Sequence, residues 1–155
     1  MSFSSTAKNE LARTVSQKSC CNRAEFTAFL RMEGNVHIGT EHKISISMTT
    51  KNAAAARKMV KLAKELFSVE TEIVVFRNDR LKKQQMFTVR IPPQNGVMAI
   101  LSCLGIGEEG ENIEGATEKL LHNKCCQRAY LRGAFLGGGS VSNPENDYHL
   151  EIVSS

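Results

Sequence analysis

Tryptophan is absent from this 155-residue sequence, and aromatic residues of any kind make up only 6% of it. Proteins that grip single-stranded nucleic acid stack its bases on aromatic rings, so that mode of binding has little to work with here. Long apolar runs are missing too. Nothing approaches the length needed to span a bilayer, and no membrane partner is expected. The opening stretch, MSFSSTAKNELARTVSQ, has no apolar core of the kind a secretion signal needs. Five cysteines, Cys20, Cys21, Cys103, Cys125 and Cys126, are an odd count. Without a signal peptide this points to the reduced cytosol and a cytoplasmic, nucleoid-associated location. The C-x2-C spacing that lets two thiolates hold one ion is absent, and no histidine stands at ligand spacing. The expectation is therefore no metal and no cofactor, with the paired cysteines serving as small helix residues. The net charge of +4 permits an anionic partner without requiring one.

What is present is a mixed pattern of helical and alternating segments. A serine-capped helix is predicted over about residues 6–15. Asn22 and Glu25 are spaced as a capping box, and Phe26, Phe29 and Leu30 follow at helical spacing up to Gly34. NVHIGTEH supplies a short strand and a turn, and KISISM alternates as a half-buried strand. NAAAARKMVKLAKELF is amphipathic, with Ala55, Met59, Leu62, Ala63 and Leu66 on one face and Arg57, Lys58, Lys61 and Lys64 elsewhere. TEIVVF and QMFTVRI are predicted strands joined by the basic turn RNDRLKKQ and closed by Pro92 and Pro93. NGVMAILSCLGI is predicted helical, GEEGENIEGATE a connector, and YHLEIV a final strand carrying Tyr148, Leu150 and Ile152 on one face.

One stretch occurs twice. CCNRAEFTAFLRMEGNV, from Cys20, aligns without a gap to CCQRAYLRGAFLGGGSV, from Cys125, at an offset of 105 residues, with six of seventeen positions identical. With one extra residue in the turn, HKISI continues onto YHLEI. The expectation is a duplicated unit in which helix, two strands, helix, two strands and helix follow one another. Within the repeated helix, Ala24 and Ala28 in one copy, and Ala129, Gly133 and Gly137 in the other, recur every fourth residue. Small residues at that spacing let helix backbones approach closely. The twin helices are therefore predicted to pair across a pseudo-two-fold axis through these residues.

LRGAFLGGGSV, Leu131 to Val141, resembles the LAGLIDADG motif of homing endonucleases position for position, and FTAFLRMEGNV, Phe26 to Val36, is a diverged version of it. That resemblance implies an α+β fold with saddle-shaped antiparallel sheets lying on duplex DNA. It also implies an acid at the foot of each helix to hold divalent metals. Those positions here are Glu33 and Gly138, while Leu136 fills the motif's other acidic position. One carboxylate is a poor site for two-metal phosphodiester chemistry, so the expectation is a scaffold without its cutting centre. Glu33 is expected to be a vestige or an exposed acid at a helix end. The N-terminal MSFSSTAKNELART and the stretch KCCQRAYLRGAFLGGGSVSNPE, together with YHLEI, are similar to the WhiA family of sporulation and cell-division regulators. This resemblance implies a DNA-binding transcription factor, involved also in chromosome segregation, whose degenerate LAGLIDADG domain precedes a helix-turn-helix domain.

Four segments are expected: an N-terminal helical segment over 1–18, a first repeat over 19–105, a connector over 106–115 and the start of a second repeat over 116–155. The second copy ends after one hairpin, so the chain reads as truncated, with the helix-turn-helix absent. Charge is unevenly spread. Residues 51–92 carry ten basic and four acidic side chains, and residues 93–119 carry five glutamates against Lys119. The densest basic group, Arg77, Arg80, Lys82 and Lys83, is the candidate contact to phosphates of double-stranded DNA. Two other readings stay open. One is an active homing endonuclease. The other is an interaction module that keeps only the scaffold and binds RNA polymerase with its sigma factor, or another regulator.

Overall fold

The computed structural model describes residues 2–78, 80 and 84–154. The chain begins with α1 (Phe3–Arg13), whose cap is Ser2: its hydroxyl accepts from the Ser5 amide at 3.1 Å. The helix therefore starts earlier than the sequence predicted, because Ser2 takes the capping role. Next comes α2 (Ser19–Glu33), the helix of the first repeat. It too starts upstream of its predicted cap, at Lys18, so Asn22 and Glu25 lie inside the helix and form no capping box. The Asn22 side-chain amide instead donates to the Ser16 carbonyl at 3.0 Å.

From α2 the chain runs through β1 (Gly34–Ile38), a turn at Thr40–His42, β2 (Ile44–Thr50), α3 (Ala53–Phe67), β3 (Glu72–Asn78), β4 (Gln84–Ile91) and α4 (Val97–Cys103). This is the helix, two strands, helix, two strands, helix order of the predicted unit. The four strands form one antiparallel sheet in the order β1-β2-β4-β3. In β2 the residues alternate strictly, with Ile44, Ile46, Met48 and Thr50 buried and the serines and threonine between them half-buried. The buried set meets Val89 and Ile91 of β4, and Phe26, Phe29 and Leu30 of α2 and Met59 and Leu62 of α3 close the same core. Each such large side chain, fully buried, contributes roughly 1.5–3 kcal/mol. Asn52 caps α3, accepting from the Ala55 amide at 2.9 Å. One face prediction for α3 does not hold: Lys58 is buried, only 5% exposed. A specific acceptor set explains this, described below.

The Gly- and Glu-rich stretch is more ordered than a plain connector. Ile106 bridges Asn112, and α5 (Ala116–Leu120) follows. The second repeat then supplies α6 (Lys124–Gly138), β5 (Gly139–Val141) and β6 (Leu150–Ile152), the last two paired as a separate two-stranded sheet. Here β6 is shorter than predicted. The ladder registers Gly139–Val141 with Leu150–Ile152, one further bond runs from the Ser142 amide to the His149 carbonyl at 2.9 Å, and Tyr148 stands outside the strand, 91% exposed. Helix α1 docks on the second repeat. Ser4 of α1 bonds both backbone groups of Val141, accepting from its amide at 2.9 Å and donating to its carbonyl at 3.0 Å.

Candidate functional site

The site is organised by the pairing of α2 with α6. Ala24, Ala28 and Ala129 are essentially inaccessible. A Cβ added to Gly133 would lie 2.1 Å from the Glu25 carbonyl oxygen, and one added to Gly137 would lie 2.7 Å from the Met32 Cβ. The two backbones thus touch where the sequence strips side chains away. The glycines that end the twin helices repeat this logic. Neither Gly34 (φ −97°) nor Gly139 (φ −89°) needs a left-handed backbone. Their missing Cβ instead leaves room for Leu30 and Phe135, the residues four positions earlier.

A polar knot lies beside this seam. Glu25 is fully buried, and its carboxylate is shared by Arg132 of α6, Nε to Oε1 at 2.7 Å, and Lys58 of α3, which contacts Oε2. Lys58 also donates to the carbonyls of Leu11 and Thr14, at the end of α1. One carboxylate therefore joins α1, α2, α3 and α6. Burial pushes the Lys58 pKa down, and the Glu25 carboxylate pulls it back up. A second polar contact crosses the seam in the opposite direction. Tyr130, aligned with Glu25, accepts at its hydroxyl from Arg31 Nη1 at 3.1 Å. The other guanidinium nitrogen of Arg31 bonds the Leu104 carbonyl and the Thr117 hydroxyl, fixing α4 and α5. Sequence reasoning missed Glu25. The signal was an acid inside an otherwise apolar stretch, between Ala24 and Phe26.

At the foot of the helices, Glu33 is half-buried rather than exposed. It lines an open cleft of about 570 Å³ with Lys8, Thr49, Lys51, Gln84 and Gly137 among its neighbours. Burial raises its pKa above the ordinary carboxylate value, while Lys8 and Lys51 act in the opposite direction. Lys8 in turn is lowered by burial and by Lys51, and raised by Glu33. The seat that two carboxylates would give to metal ions thus holds one carboxylate within the fields of two ammonium groups. Its twin position, Gly138, is closed to a side chain. A Cβ there would meet the Val153 carbonyl at 2.2 Å, and the Gly138 carbonyl accepts from the Val153 amide at 2.9 Å.

Of the basic group at the β3–β4 connection, Arg77 and Arg80 are both exposed. Arg77 pairs with Gln85 in register, on the sheet face shared by Val75, Phe87 and Val89, and at this end of the ribbon it is exposed. The opposite face carries Asn35, His37, Ser45, Ser47, Thr49, Thr88 and Arg90. Its β1–β2 part is polar, Arg90 pairs with Glu72 at 3.2 Å and Thr49 bonds Thr88 at 3.0 Å, and toward β3 it turns apolar with Val74, Phe76 and Met86. Arg80 is exposed at the β3–β4 turn, and Lys82 and Lys83 lie outside the described residues. A second cationic region lies between α1 and α3, where Arg13, Lys51, Arg57 and Lys61 line an open cleft of about 560 Å³.

At the other end of the helix pair, the four paired cysteines converge. The Sγ atoms of Cys20, Cys21, Cys125 and Cys126 all lie within 4.8 Å of one another. Taken one at a time, the C-C pairs lack ligand spacing, and it is the docking of the twin helices that brings the two pairs together. The thiols interact across the seam as the repeat pairs them, Cys21 with Cys125 and its twin Cys126 with Cys20, the twin of Cys125. Burial first, then the contact with Cys20, pushes the Cys126 thiol up to about 12. Cys21 is also raised, chiefly by burial, and Cys125 is lowered, chiefly by the contact with Cys21. Cys103 stands apart from the cluster.

Residues 19–107 match the family description "WhiA N-terminal LAGLIDADG-like domain", and residues 127–155 match "WhiA LAGLIDADG-like domain". Among curated proteins, the chain is 50% identical to a "Probable cell division protein WhiA" of Desulforamulus reducens, over 99% of this chain and 48% of that protein. It is 45% identical to the protein of the same name in Heliobacterium modesticaldum, over 100% of this chain and 49% of that one. The chain therefore spans about half the length of the curated relatives it matches. Among solved structures, full-length WhiA from Thermatoga maritima superposes with a TM-score of 0.65 at 25% identity, covering 98% of this chain and 44% of that one. An isolated N-terminal LAGLIDADG domain of WhiA shares the fold, with a TM-score of 0.68 at 22% identity, over 97% of this chain and 65% of that one. Among the described residues no helix is long and apolar enough to cross a membrane.

Proposed function

This chain belongs to the WhiA family by way of its N-terminal LAGLIDADG-like domain, and on that premise we propose that it is a non-catalytic, duplex-DNA-binding part of a transcription regulator acting in sporulation, cell division and chromosome segregation. The observation that carries this reading is the foot of the twin helices. An endonuclease needs two carboxylates there to fix its ions and stabilise attacking and leaving oxygens. This chain has Glu33 flanked electrostatically by Lys8 and Lys51, and a glycine backbone packed on Val153. Ammonium groups at that place favour phosphate rather than magnesium.

Binding without cutting then rests on positive charge that neutralises phosphates and releases counterions. The basic group Arg77, Arg80, Lys82 and Lys83, and the cleft between α1 and α3, supply that charge. The hydroxyl-rich outer face of the sheet offers hydrogen bonds to groove edges. Such a surface positions a protein on DNA more than it selects a sequence. The reading assigns the protein to the cytoplasm, on the nucleoid.

A protein-interaction reading has one observation in its favour. Strand β3 is a sheet edge whose Ile73, Val74, Val75 and Phe76 are all at least 41% exposed. Exposed apolar edges are templates for a partner, here RNA polymerase with its sigma factor or another regulator. Fluorescence anisotropy with a labelled duplex, run beside a supercoiled-plasmid assay in magnesium, separates the readings. Binding with the plasmid left intact supports the proposal. Nicked plasmid restores the endonuclease, and absence of binding favours the interaction module.

A further inference from the structure

We propose that Cys20, Cys21, Cys125 and Cys126 bind one zinc ion that staples the N-terminal ends of the twin helices. Geometry carries this. A tetrahedral ion with Zn–S distances of about 2.3 Å holds its sulfurs about 3.8 Å apart. The four Sγ atoms already lie within 4.8 Å of one another without an ion, so closure needs only small side-chain adjustments. Four thiolates from two helices give the closed, all-sulfur set of a structural zinc site, with no position left open for catalysis. An iron–sulfur cluster interposes several iron and sulfide atoms between its thiolates and so requires a wider spread of sulfurs. Soft thiolates in a compact tetrahedron select zinc among the common divalent ions.

The surroundings suit the charge. Zinc with four thiolates carries a net charge of −2, and four protons leave on binding. Each cysteine pair occupies the first turn of its helix, after Lys18 and Asn123, neither of which makes a side-chain cap. The positive ends of two helix dipoles thus face the sulfurs. Lys18 acts on Cys125 electrostatically. An access route is present as well: an open cleft of about 500 Å³ is lined by Cys20 and Cys126 together with Arg23, Lys119 and Asn123. The repeat explains why neither copy contains a metal motif of its own. Each contributes half a site, and only pairing across the pseudo-two-fold completes it. The ion therefore reports, and reinforces, the docking of one repeat on the other at the end opposite Glu33.

The test is metal analysis of the full chain purified under anaerobic, reducing conditions from zinc-supplemented cells, followed by titration of the stripped protein with Co²⁺. The expected result is one zinc per chain and, with cobalt, the intense visible bands of a tetrahedral tetrathiolate site. Paired Cys20→Ser and Cys125→Ser changes should weaken metal affinity by more than roughly 100-fold, beyond the loss typical when only a hydrogen-bond partner of a ligand is changed, while Cys103→Ser keeps full stoichiometry. Chelation should lower Tm, and added zinc should restore it. The cobalt spectrum is read on the unaltered chain, so it does not depend on how well the serine variants fold. Zinc absent with no cobalt bands, iron accompanied by sulfide, or a disulfide between Cys21 and Cys125 in the reduced preparation would each overturn the proposal.

Discussion

The backbone of Gly133 in α6 rests on the carbonyl of Glu25 in α2, so closely that a Cβ at Gly133 would sit 2.1 Å from that oxygen. The obstacle is main chain and cannot rotate away. Gly133→Ala therefore forces the twin helices apart, and overpacking of this kind costs about 1–3 kcal/mol. A urea-denaturation midpoint should fall accordingly, and Gly133→Val should lower it further. An unchanged midpoint for the alanine variant would mean that the seam is looser than described.

Glu25 itself neutralises two cations in the interior. Glu25→Gln keeps the shape but leaves Lys58 and Arg132 without their carboxylate, and breaking a buried pair on one side costs about 3–5 kcal/mol. Lys58→Met should also destabilise, but the double variant should lose less than the sum, because the two residues share one interaction. Denaturant midpoints across the four proteins of this cycle measure the coupling directly.

The raised pKa of Glu33 makes a signed prediction. In the unfolded chain this carboxyl titrates in the ordinary range, near ~4.3, and burial lifts it in the folded state. Between those two values the folded protein holds a proton that the unfolded chain has released. Stability is thus favoured below the ordinary range and falls as pH rises through the folded value. Glu33→Gln should remove that fall, so its Tm–pH profile should be flatter than wild type just above pH ~4.3. Parallel profiles would contradict the placement of Glu33 in the cleft.

Restoring the motif's second acid should not restore a nuclease. A side chain at Gly138 meets the Val153 carbonyl, so Gly138→Asp must displace the segment following β6 before it can approach an ion. Lys8 and Lys51 remain in place beside Glu33. The expected outcome is a lower Tm, by an overpacking cost of about 1–3 kcal/mol, and no magnesium-dependent nicking of plasmid.

Much of this architecture was legible in the chain. Strict alternation in Ile44–Thr50 and the apolar stripe of Ala55, Met59 and Leu62 follow directly from strand and helix periods. The gapless repeat at 105 residues announced the twin helices. What stayed hidden depends on contacts distant in sequence. Lys58 looked like a solvated lysine because its acceptors, Leu11, Thr14 and Glu25, come from two other helices and the turn between them. Glu25 looked like a cap because capping boxes are read locally. The four-sulfur cluster was concealed for the same reason: each pair is uninformative until the helices meet.

The proposed function rests on neutralisation of DNA phosphates by exposed cations, and the salt dependence of duplex binding tests it most directly. The logarithm of the binding constant, plotted against the logarithm of salt concentration, should fall steeply for the wild-type chain. In the Arg80→Ala/Lys82→Ala/Lys83→Ala variant the slope should become shallower by about 0.9 for each phosphate that the variant no longer neutralises. A flat plot for the wild type, or the same slope in both proteins, would contradict the account.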